Sequence, residues 1–281
     1  MSKVRIITDS TMDISDGCYS ALTVLPIRIR FGEQEYLDGV DITKTGFYEK
    51  LVECDTLPTT SQVTPFAFAE AYEKAHKTGE QVVVLTVSAK LSGTYQSAVL
   101  AAQETEAEVY VVDGHNVAIG SGIMVLYALK LVEQGKSAAQ IAKELEQVRD
   151  RVKVIGLLDT LEYLKRGGRI SKAVAFAGSL LSIKPVVTVR DGAVELLGKA
   201  RGSKQGNNML VQQIEAAGGV DFSMPILLGY SGLSDTLLQK YIQDSSSLWE
   251  GNVEKLPCTS ISGAVGTHVG PGAIAVAFFS K

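Results

Sequence analysis

Residues 81–112, QVVVLTVSAKLSGTYQSAVLAAQETEAEVYVV, decide the fold class of this chain. Residues 82–87 and 109–112 are runs of mostly β-branched side chains with high strand propensity. Neither run alternates between apolar and polar residues, so both are predicted to be strands buried on both faces, as in a parallel sheet. Between them, residues 97–106 have a helical pattern. The order strand, helix, strand predicts a parallel βαβ unit.

The same alternation continues on both sides of this unit. A strand is predicted over residues 4–7, and helices are predicted over residues 65–77, 119–134 and 137–150. Ser137 is the expected N-cap of the last of these helices. We therefore predict an N-terminal α/β domain over residues 1–155, with a mostly parallel sheet flanked by helices.

The second half of the chain has a different pattern, because turns as well as helices join its strands. Residues 186–190 and 194–197 flank Asp191-Gly192, a dipeptide typical of antiparallel hairpins. Other segments are predicted to be strands (153–157, 226–228, 273–279) or helices (161–166, 172–181, 205–217 and 234–248, the last capped by Ser234). We predict a C-terminal α+β domain over residues 156–281, and an α/β protein of two domains overall.

Composition narrows the class of protein. The chain has 281 residues, of which 46% are hydrophobic and 21% charged, as in a folded globular protein. The formal net charge of -4 and the lack of a basic stripe disfavour a nucleic-acid partner. Cys18, Cys54 and Cys258 are widely spaced, which favours reduced thiols in a reducing compartment. The N-terminus lacks the apolar region of a signal peptide, and residues 118–132 are too few to span a membrane, so we expect a cytoplasmic protein.

Common enzyme signatures are missing from the sequence. It contains no phosphate-binding P-loop, no H-E-x-x-H motif and no G-x-S-x-G nucleophile elbow. His76, His115 and His268 are too far apart in sequence to suggest a zinc site. We therefore assign no catalytic residue and expect no metal.

Hydroxyl-rich loops stand out in the first half. They are Thr8-Asp9-Ser10-Thr11, Thr59-Thr60-Ser61-Gln62 and Ser92-Gly93-Thr94. Ligands bind at the carboxyl ends of strands in open α/β sheets, and such loops offer O–H and N–H donors to an anion. The same residues are also typical helix N-caps. The pattern alone leaves both interpretations open.

Two further segments lie in the second half. Residues 263–272 form a loop rich in glycine and proline around His268, and glycine lets the backbone approach a ligand closely. The histidine is either structural or part of a binding site. Residues 161–169, LEYLKRGGR, carry Arg166 and Arg169, which are either a phosphate-binding pair or a solvated positive face.

Together these segments resemble the DegV family. The shared motifs cover essentially the whole chain: TDST at 8–11, TSQ at 60–62, SGT-x-x-SA at 92–98, LEYLKRGGR at 161–169 and G-x-H-x-GPG at 266–272. The resemblance implies the two-domain DegV-like fold, with a long-chain fatty acid buried between the domains.

The resemblance also implies a function, that of the binding subunit of a bacterial fatty acid kinase. Such a protein presents the fatty acid carboxylate to a separate ATP-dependent kinase subunit, which forms an acyl phosphate. It then exchanges its cargo with the membrane for phospholipid synthesis. The chain would be a lipid-binding protein without a cofactor, because ATP is used only by the partner kinase. Its expected partners are the fatty acid, the kinase subunit and, transiently, the membrane surface.

Site residues follow from the resemblance by position. The implied carboxylate-binding residues are Thr60, Ser92 and His268. The residues expected to support them are Asp9, Ser10, Ser61, Gln62, Gly93, Thr94 and Gly270. Those expected to face the kinase or the phosphate are Arg166, Arg169 and Arg201. The sequence departs from the family at Val63, where proline is common, and at Gly114-His115, where the family often has serine after the aspartate.

Other interpretations remain open. An acyl hydrolase would use Ser92 or Ser61 with His268 and Asp9, since a triad can occur in any chain order. A lipid-binding regulatory protein would need no kinase. Residues 172–181, KAVAFAGSLL, are expected to be either core or a mobile helix that closes the tunnel and meets the membrane.

Overall fold

A computed structural model describes residues 3–14, 19–170, 183–249, 251 and 253–281. Its elements in chain order are β1 (Lys3–Asp9), β2 (Leu22–Leu25), β3 (Arg28–Phe31), β4 (Gln34–Leu37), α1 (Lys44–Glu53), β5 (Thr59–Ser61), α2 (Pro65–Lys77), β6 (Glu80–Thr86), α3 (Thr94–Ala102), β7 (Val109–Asp113), α4 (Ala118–Glu133), α5 (Ala138–Val148), β8 (Val152–Leu157), α6 (Glu162–Arg166), β9 (Ile183–Arg190), β10 (Ala193–Arg201), α7 (Gly202–Ala216), β11 (Leu227–Tyr230), α8 (Thr236–Asp244), β12 (Cys258–Ser260), α9 (Gly263–Val269) and β13 (Ile274–Phe279). The helix predicted over residues 172–181 lies outside the described residues, as does Cys18.

The βαβ unit predicted from residues 81–112 lies within a parallel sheet of strand order β2-β1-β6-β7. Side chains of β6 are buried on both faces, as the sequence predicted. Val83 packs towards α4 and α5, whereas Val84 packs against α2 and α3. The α/β fold class is therefore confirmed.

Strands of the second half form a mixed sheet of order β10-β9-β8-β13-β11-β12, in which β11 and β12 are parallel and the other pairs antiparallel. The predicted hairpin is confirmed, because β9 and β10 pair antiparallel across Asp191 and Gly192. Both turn residues have positive φ, 48° and 77°, as a type I′ turn requires. The domain boundary predicted at residue 155 falls within β8, a strand of this sheet.

Helix α4 lies between the two sheets. It is apolar around most of its circumference, which is the pattern of a fully buried helix. The hydrophobic core around it includes Ile6 and Val83 of the parallel sheet as well as Val154 and Phe279 of the mixed sheet. Helices α7 and α8 cover the far face of the mixed sheet. The layers therefore alternate helix, sheet, helix, sheet and helix, with the two halves in contact through α4.

Several elements differ from the sequence expectations. The loop expected over residues 263–272 instead contains helix α9. Helix α8 begins at Thr236 with Asp235 as its N-cap, whereas Ser234 accepts a hydrogen bond from the Thr236 N–H. The antiparallel sheet β4-β3-β5 was not predicted, because its strands are three or four residues long. Ser137 does cap α5, through a complete capping box.

In the described part of the chain, no helix combines the length and the apolar character that crossing a membrane requires.

Candidate functional site

The hydroxyl-rich loops meet α9 at a cavity of about 360 Å³ between the two halves. Its polar lining is Thr11, Thr60, Ser61, Gln62, Ser92, Arg169 and His268. The parallel sheet supplies the carboxyl end of β6 and the loop that follows it, as expected for a ligand site in an α/β protein. All three residues that the sequence assigned to carboxylate binding line this one cavity.

Thr60 and His268 form a contact between the two halves at this cavity. Thr60 lies on β5, which pairs with β3, and His268 lies in the last turn of α9. The Thr60 Oγ1 and His268 Nε2 atoms are 2.9 Å apart, a good hydrogen bond. The other ring nitrogen, Nδ1, is buried without a partner among the described residues.

Burial sets the protonation of His268. Burial, together with a smaller contribution from the nearby Arg169 charge, lowers the pKa of the imidazole from 6.5 to about 4. The ring is therefore neutral near pH 7 and carries one N–H. We assign the proton to Nε2, because an N–H at Nδ1 would be a buried donor without an acceptor. Thr60 then accepts this bond, and its own hydroxyl proton is available to a ligand in the cavity.

Ser92 is held by the turn that begins α3. Its Oγ lies 3.0 Å from Thr94 Oγ1 and accepts a hydrogen bond from the Thr94 N–H. Thr94 Oγ1 in turn accepts the N–H of Val63, which links this turn to the chain that follows Thr60. The departure to valine at position 63 therefore supplies a donor that proline lacks.

Gln62 closes the cavity on the same side. Its Nε2 donates to Ser97 Oγ at 2.9 Å. Its side chain lies so close to Gly93 that a Cβ on that residue would be 2.0 Å from Gln62 Oε1. A side chain at position 93 would therefore require the Gln62 amide to move.

Arg169 lies in the cavity wall rather than with the exposed Arg166 and Arg201. Its Nε donates to the Leu91 carbonyl at 3.1 Å and its Nη1 to the Gly167 carbonyl at 2.6 Å. These bonds hold the guanidinium beside the loop that carries Ser92. The cavity thus combines hydroxyl donors with the guanidinium of Arg169, a set suited to a carboxylate or a phosphate.

A second, almost wholly apolar cavity of about 80 Å³ adjoins the first. The two share the lining residues Val117, Leu164, Val194, Val265 and Val269. Val265 and Val269 lie one turn apart on α9, on either side of His268 in sequence. These apolar residues were not predicted to line the site, although a spacing of four residues is typical of one face of a helix.

Other residues predicted to support the site lie around it. Asp9 is fully buried and accepts hydrogen bonds from Thr11 and the Val87 N–H, so it joins the ends of β1 and β6. Ser10 donates to Asp38 and lies outside the cavity wall. Gly270 ends α9 with φ of 71°, and a Cβ there would be 2.4 Å from the Tyr163 ring.

The remaining predicted residues lie away from the cavity lining. Arg166 is exposed and paired with Glu162 at 2.5 Å. Arg201 is exposed at the N-cap of α7. His115 has a positive φ of 49° and lines a separate cleft with Arg149.

The geometry does not assemble the hydrolase triad. Both oxygens of Asp9 are occupied by Thr11 and Val87, and neither bonds His268. His268 bonds Thr60 rather than Ser92 or Ser61. A histidine base without an orienting carboxylate lacks the geometry on which serine hydrolases depend.

Comparison with known proteins identifies the family of this chain. The family model described as "Uncharacterised protein, DegV family" matches residues 3–281. A DegV domain-containing protein of Clostridium perfringens is 36% identical over the whole of both chains. A structure from Thermus thermophilus, "Fatty Acid Binding of a DegV family Protein", is 35% identical with a TM-score of 0.87 and covers 99% of this chain and 100% of its own. A stearic acid-binding protein from Eubacterium ventriosum is 25% identical with a TM-score of 0.85, covering 99% and 98%.

The fold and the match over nearly the whole length define an α/β protein of known architecture. The chain belongs to the DegV family.

Proposed function

We propose that this protein binds one long-chain fatty acid, with the carboxylate at Thr60, Ser92 and Arg169 and the hydrocarbon chain running through the rest of that cavity into the adjoining apolar one. The observation that carries this proposal is the junction of a polar cavity with an apolar one through shared lining residues. The similar proteins from Thermus thermophilus and Eubacterium ventriosum are described as binding fatty acids, which supports it.

Energetics favour a ligand with both a long chain and a charged head. Burying the roughly 14 methylenes of palmitate contributes about 11 kcal/mol of favourable free energy, at ~0.8 kcal/mol each. Association costs of ~4–15 kcal/mol offset much of this gain. A buried carboxylate must be paired, and each hydrogen bond to a charged group contributes ~1.5–3 kcal/mol. Two hydroxyls and Arg169 are sufficient partners.

The finer proposal is that the bound carboxylate is the substrate of a separate kinase subunit. One carboxylate oxygen attacks the γ-phosphorus of ATP, the P–O bond to ADP breaks, and an acyl phosphate forms with release of ADP. The kinase holds the ATP, so this chain is a lipid-binding protein without a cofactor. Arg169 is well suited to balance the added phosphate charge. The earlier expectation that Arg166 and Arg201 contact the kinase remains part of this proposal.

Exchange of the cargo with a membrane surface completes the proposed cycle, in a cytoplasmic protein. The segment expected to meet the membrane, residues 172–181, lies outside the described residues. Transfer of palmitate to phosphatidylglycerol vesicles tests this step, with Phe176→Glu as the variant. The proposal predicts slower transfer by a folded variant, and an unchanged rate contradicts it.

Binding is tested with Thr60→Val and Ser92→Ala by titration with palmitate and with hexadecanol, which lacks the carboxylate. Each variant should bind palmitate about tenfold to a hundredfold more weakly, because one hydrogen bond to a charged group is lost. Hexadecanol binding should change little. Ser137→Ala, at the N-cap of α5 and outside the cavity lining, is the control. Equal losses for the acid and the alcohol would contradict the assignment of the head group.

The kinase step is tested with palmitate-loaded protein, ATP and the kinase subunit of a bacterial fatty acid kinase, trapping acyl phosphate with hydroxylamine. The proposal predicts palmitoyl hydroxamate from the native protein and much less from Ser92→Ala. Binding without any hydroxamate would instead favour a lipid-binding regulatory protein.

A further inference from the structure

Helix α9 carries His268 but has little intrinsic stability. It spans only Gly263–Val269 and includes Gly263 and Gly266. Isolated helices this short do not persist in water, and glycine lowers helix propensity further. The N-cap residue, Ser262, makes no side-chain capping bond. The position of His268 therefore depends on contacts from outside the helix.

Two buried aspartates of the first half supply those contacts. Asp13 Oδ1 accepts the Ser262 N–H at 2.7 Å. Asp38 Oδ1 accepts the Gly263 N–H at 3.1 Å, and its carboxylate also interacts with the Ala264 N–H. The side chains are 2% and 4% exposed, so water cannot replace them easily. More than 200 residues separate each aspartate from the helix that it caps.

Asp38 is itself held in place. Asp38 Oδ2 accepts the Ser10 hydroxyl at 2.8 Å, and Ser10 Oγ accepts the Ile27 N–H at 3.0 Å. On the same side, Lys44 Nζ donates to the Ser260 carbonyl at 2.8 Å, and its charge acts on both carboxylates. Ser10 thus helps to hold Asp38 in place and does not line the cavity.

The opposite end of α9 completes the connection. His268 follows the capped residues by about one and a half turns, and its Nε2 atom lies 2.9 Å from Thr60 Oγ1. On the flank of the helix, a Cβ on Gly263 would be 2.8 Å from the Phe47 ring, so the helix has no room to shift in that direction. Capping by the aspartates restricts the two remaining movements of the helix, translation along its axis and rotation around it.

We propose that Asp13 and Asp38 are positioning residues for the carboxylate site, holding α9 so that His268 orients the Thr60 hydroxyl. This inference rests on the fatty acid binding proposed above. Neither aspartate lines the cavity that contains Thr60 and His268. Their effect on the ligand is therefore indirect and specific to its head group.

Affinity measurements on Asp13→Ala and Asp38→Ala test the proposal, again with palmitate and hexadecanol. Losing a helix cap should weaken palmitate binding on the order of tenfold and leave hexadecanol binding within about twofold. Asp38→Asn keeps a side-chain oxygen acceptor and should restore most of the palmitate affinity. Asp221→Ala removes a structural carboxylate that bonds Ser223 and Arg151, and serves as the control. Equal losses for both ligands would overturn the proposal.

A second measurement needs no ligand. In the ¹⁵N-histidine NMR spectrum, assigned with His268→Gln, the alanine variants should move the His268 signals and raise its pKa towards the ordinary value. Unchanged His268 signals in a folded variant would overturn the proposal. If the alanine variants do not fold, Ser10→Ala removes the donor to Asp38 and should give the same shift in smaller measure. A native protein that binds no palmitate would contradict the proposed function, while the NMR result would still decide the role of the aspartates.

Discussion

At the residue scale, His268 and Arg169 have different roles in the site, one as a neutral hydrogen-bond partner and the other as a cation. Burial keeps the His268 imidazole neutral, so it orients Thr60 without adding a second cation beside Arg169. Arg169 is also partly buried, and the desolvation of its charge lowers the pKa of its guanidinium. Keeping this charge in an empty cavity therefore costs free energy. A carboxylate in the cavity would offset that desolvation, which gives the ligand's head group a physical reason to bind here.

Neutral His268 predicts a pH dependence of stability. Its pKa is about 4 in the folded protein and 6.5 in the unfolded chain, so between these values the unfolded chain binds more protons. Stability is therefore lost as the pH falls from above 6.5 towards 4. Between pH 7.5 and pH 5, His268 should account for a loss of about 2 kcal/mol in the free energy of unfolding.

Urea unfolding of His268→Gln at these two pH values measures that contribution. The variant should lose about 2 kcal/mol less than the native protein between pH 7.5 and pH 5. His76→Gln, a change at an exposed histidine, should behave like the native protein. Equal losses in all three proteins would contradict a neutral, buried His268.

Helix α9 decides the site at the element scale. Its glycines allow it to lie against α1, because side chains at these positions would overlap Phe47 and Tyr48. Its caps come from Asp13 and Asp38 rather than from its own sequence. The helix is thus specified by its surroundings, which is why its sequence resembles a loop.

Gly266→Ala tests this packing. Alanine favours helix formation, but a Cβ here would lie 2.7 Å from Phe47 Cε1 and 2.7 Å from the Tyr48 hydroxyl oxygen. We expect the free energy of unfolding to fall by about 1–3 kcal/mol, since overpacking a close-packed site forces shifts. Palmitate binding should weaken as well, because α9 carries His268.

A matched control is Gly46→Ala, in α1. Its Cβ would lie 3.2 Å from Thr43 Oγ1 and 3.8 Å from Ile42 Cγ1, and the change in stability should stay within about 1 kcal/mol. Chemical denaturation compares the two variants. If Gly266→Ala were as stable as Gly46→Ala and bound palmitate normally, the close packing of α9 would not govern the site.

At the scale of the whole molecule, the cavity belongs to neither half alone. Thr60 and Ser92 come from the parallel-sheet half, whereas His268 and Val194 come from the half with the mixed sheet. Val194, on β10, lines both the polar and the apolar cavity and therefore lies where the ligand's chain would pass from one to the other.

Val194→Phe should therefore alter chain-length preference. In the native protein, affinity should rise from octanoate to palmitate, because each buried methylene contributes ~0.8 kcal/mol. A phenyl ring at the junction should remove most of that increase and leave octanoate binding largely intact. Val52→Phe, at an exposed position on α1, is the control. A full palmitate preference in Val194→Phe would show that the chain takes another path.

Local signals explain what the sequence predicted and what it did not. The limits of α2 and the Asp191-Gly192 hairpin were predicted correctly, because both are specified by adjacent residues. Helix α9 was missed, since its caps lie more than 200 residues away. Arg169 could not be distinguished from Arg166 by sequence. The segment that follows α6 packs against Leu91, and this tertiary contact places the Arg169 side chain in the cavity wall. Thr60, Ser92 and His268, which the family motifs indicated, line one cavity.

The central claim is that a fatty acid occupies the joined cavities, and native mass spectrometry of the purified protein tests it most directly. Denaturation and lipid identification should follow on the same sample. The account predicts one long-chain fatty acid per chain, or uptake of one added palmitate or oleate per chain, with weaker retention in the Thr60→Val and Ser92→Ala variants. A folded protein that carries no fatty acid and takes up neither palmitate nor oleate would contradict the account.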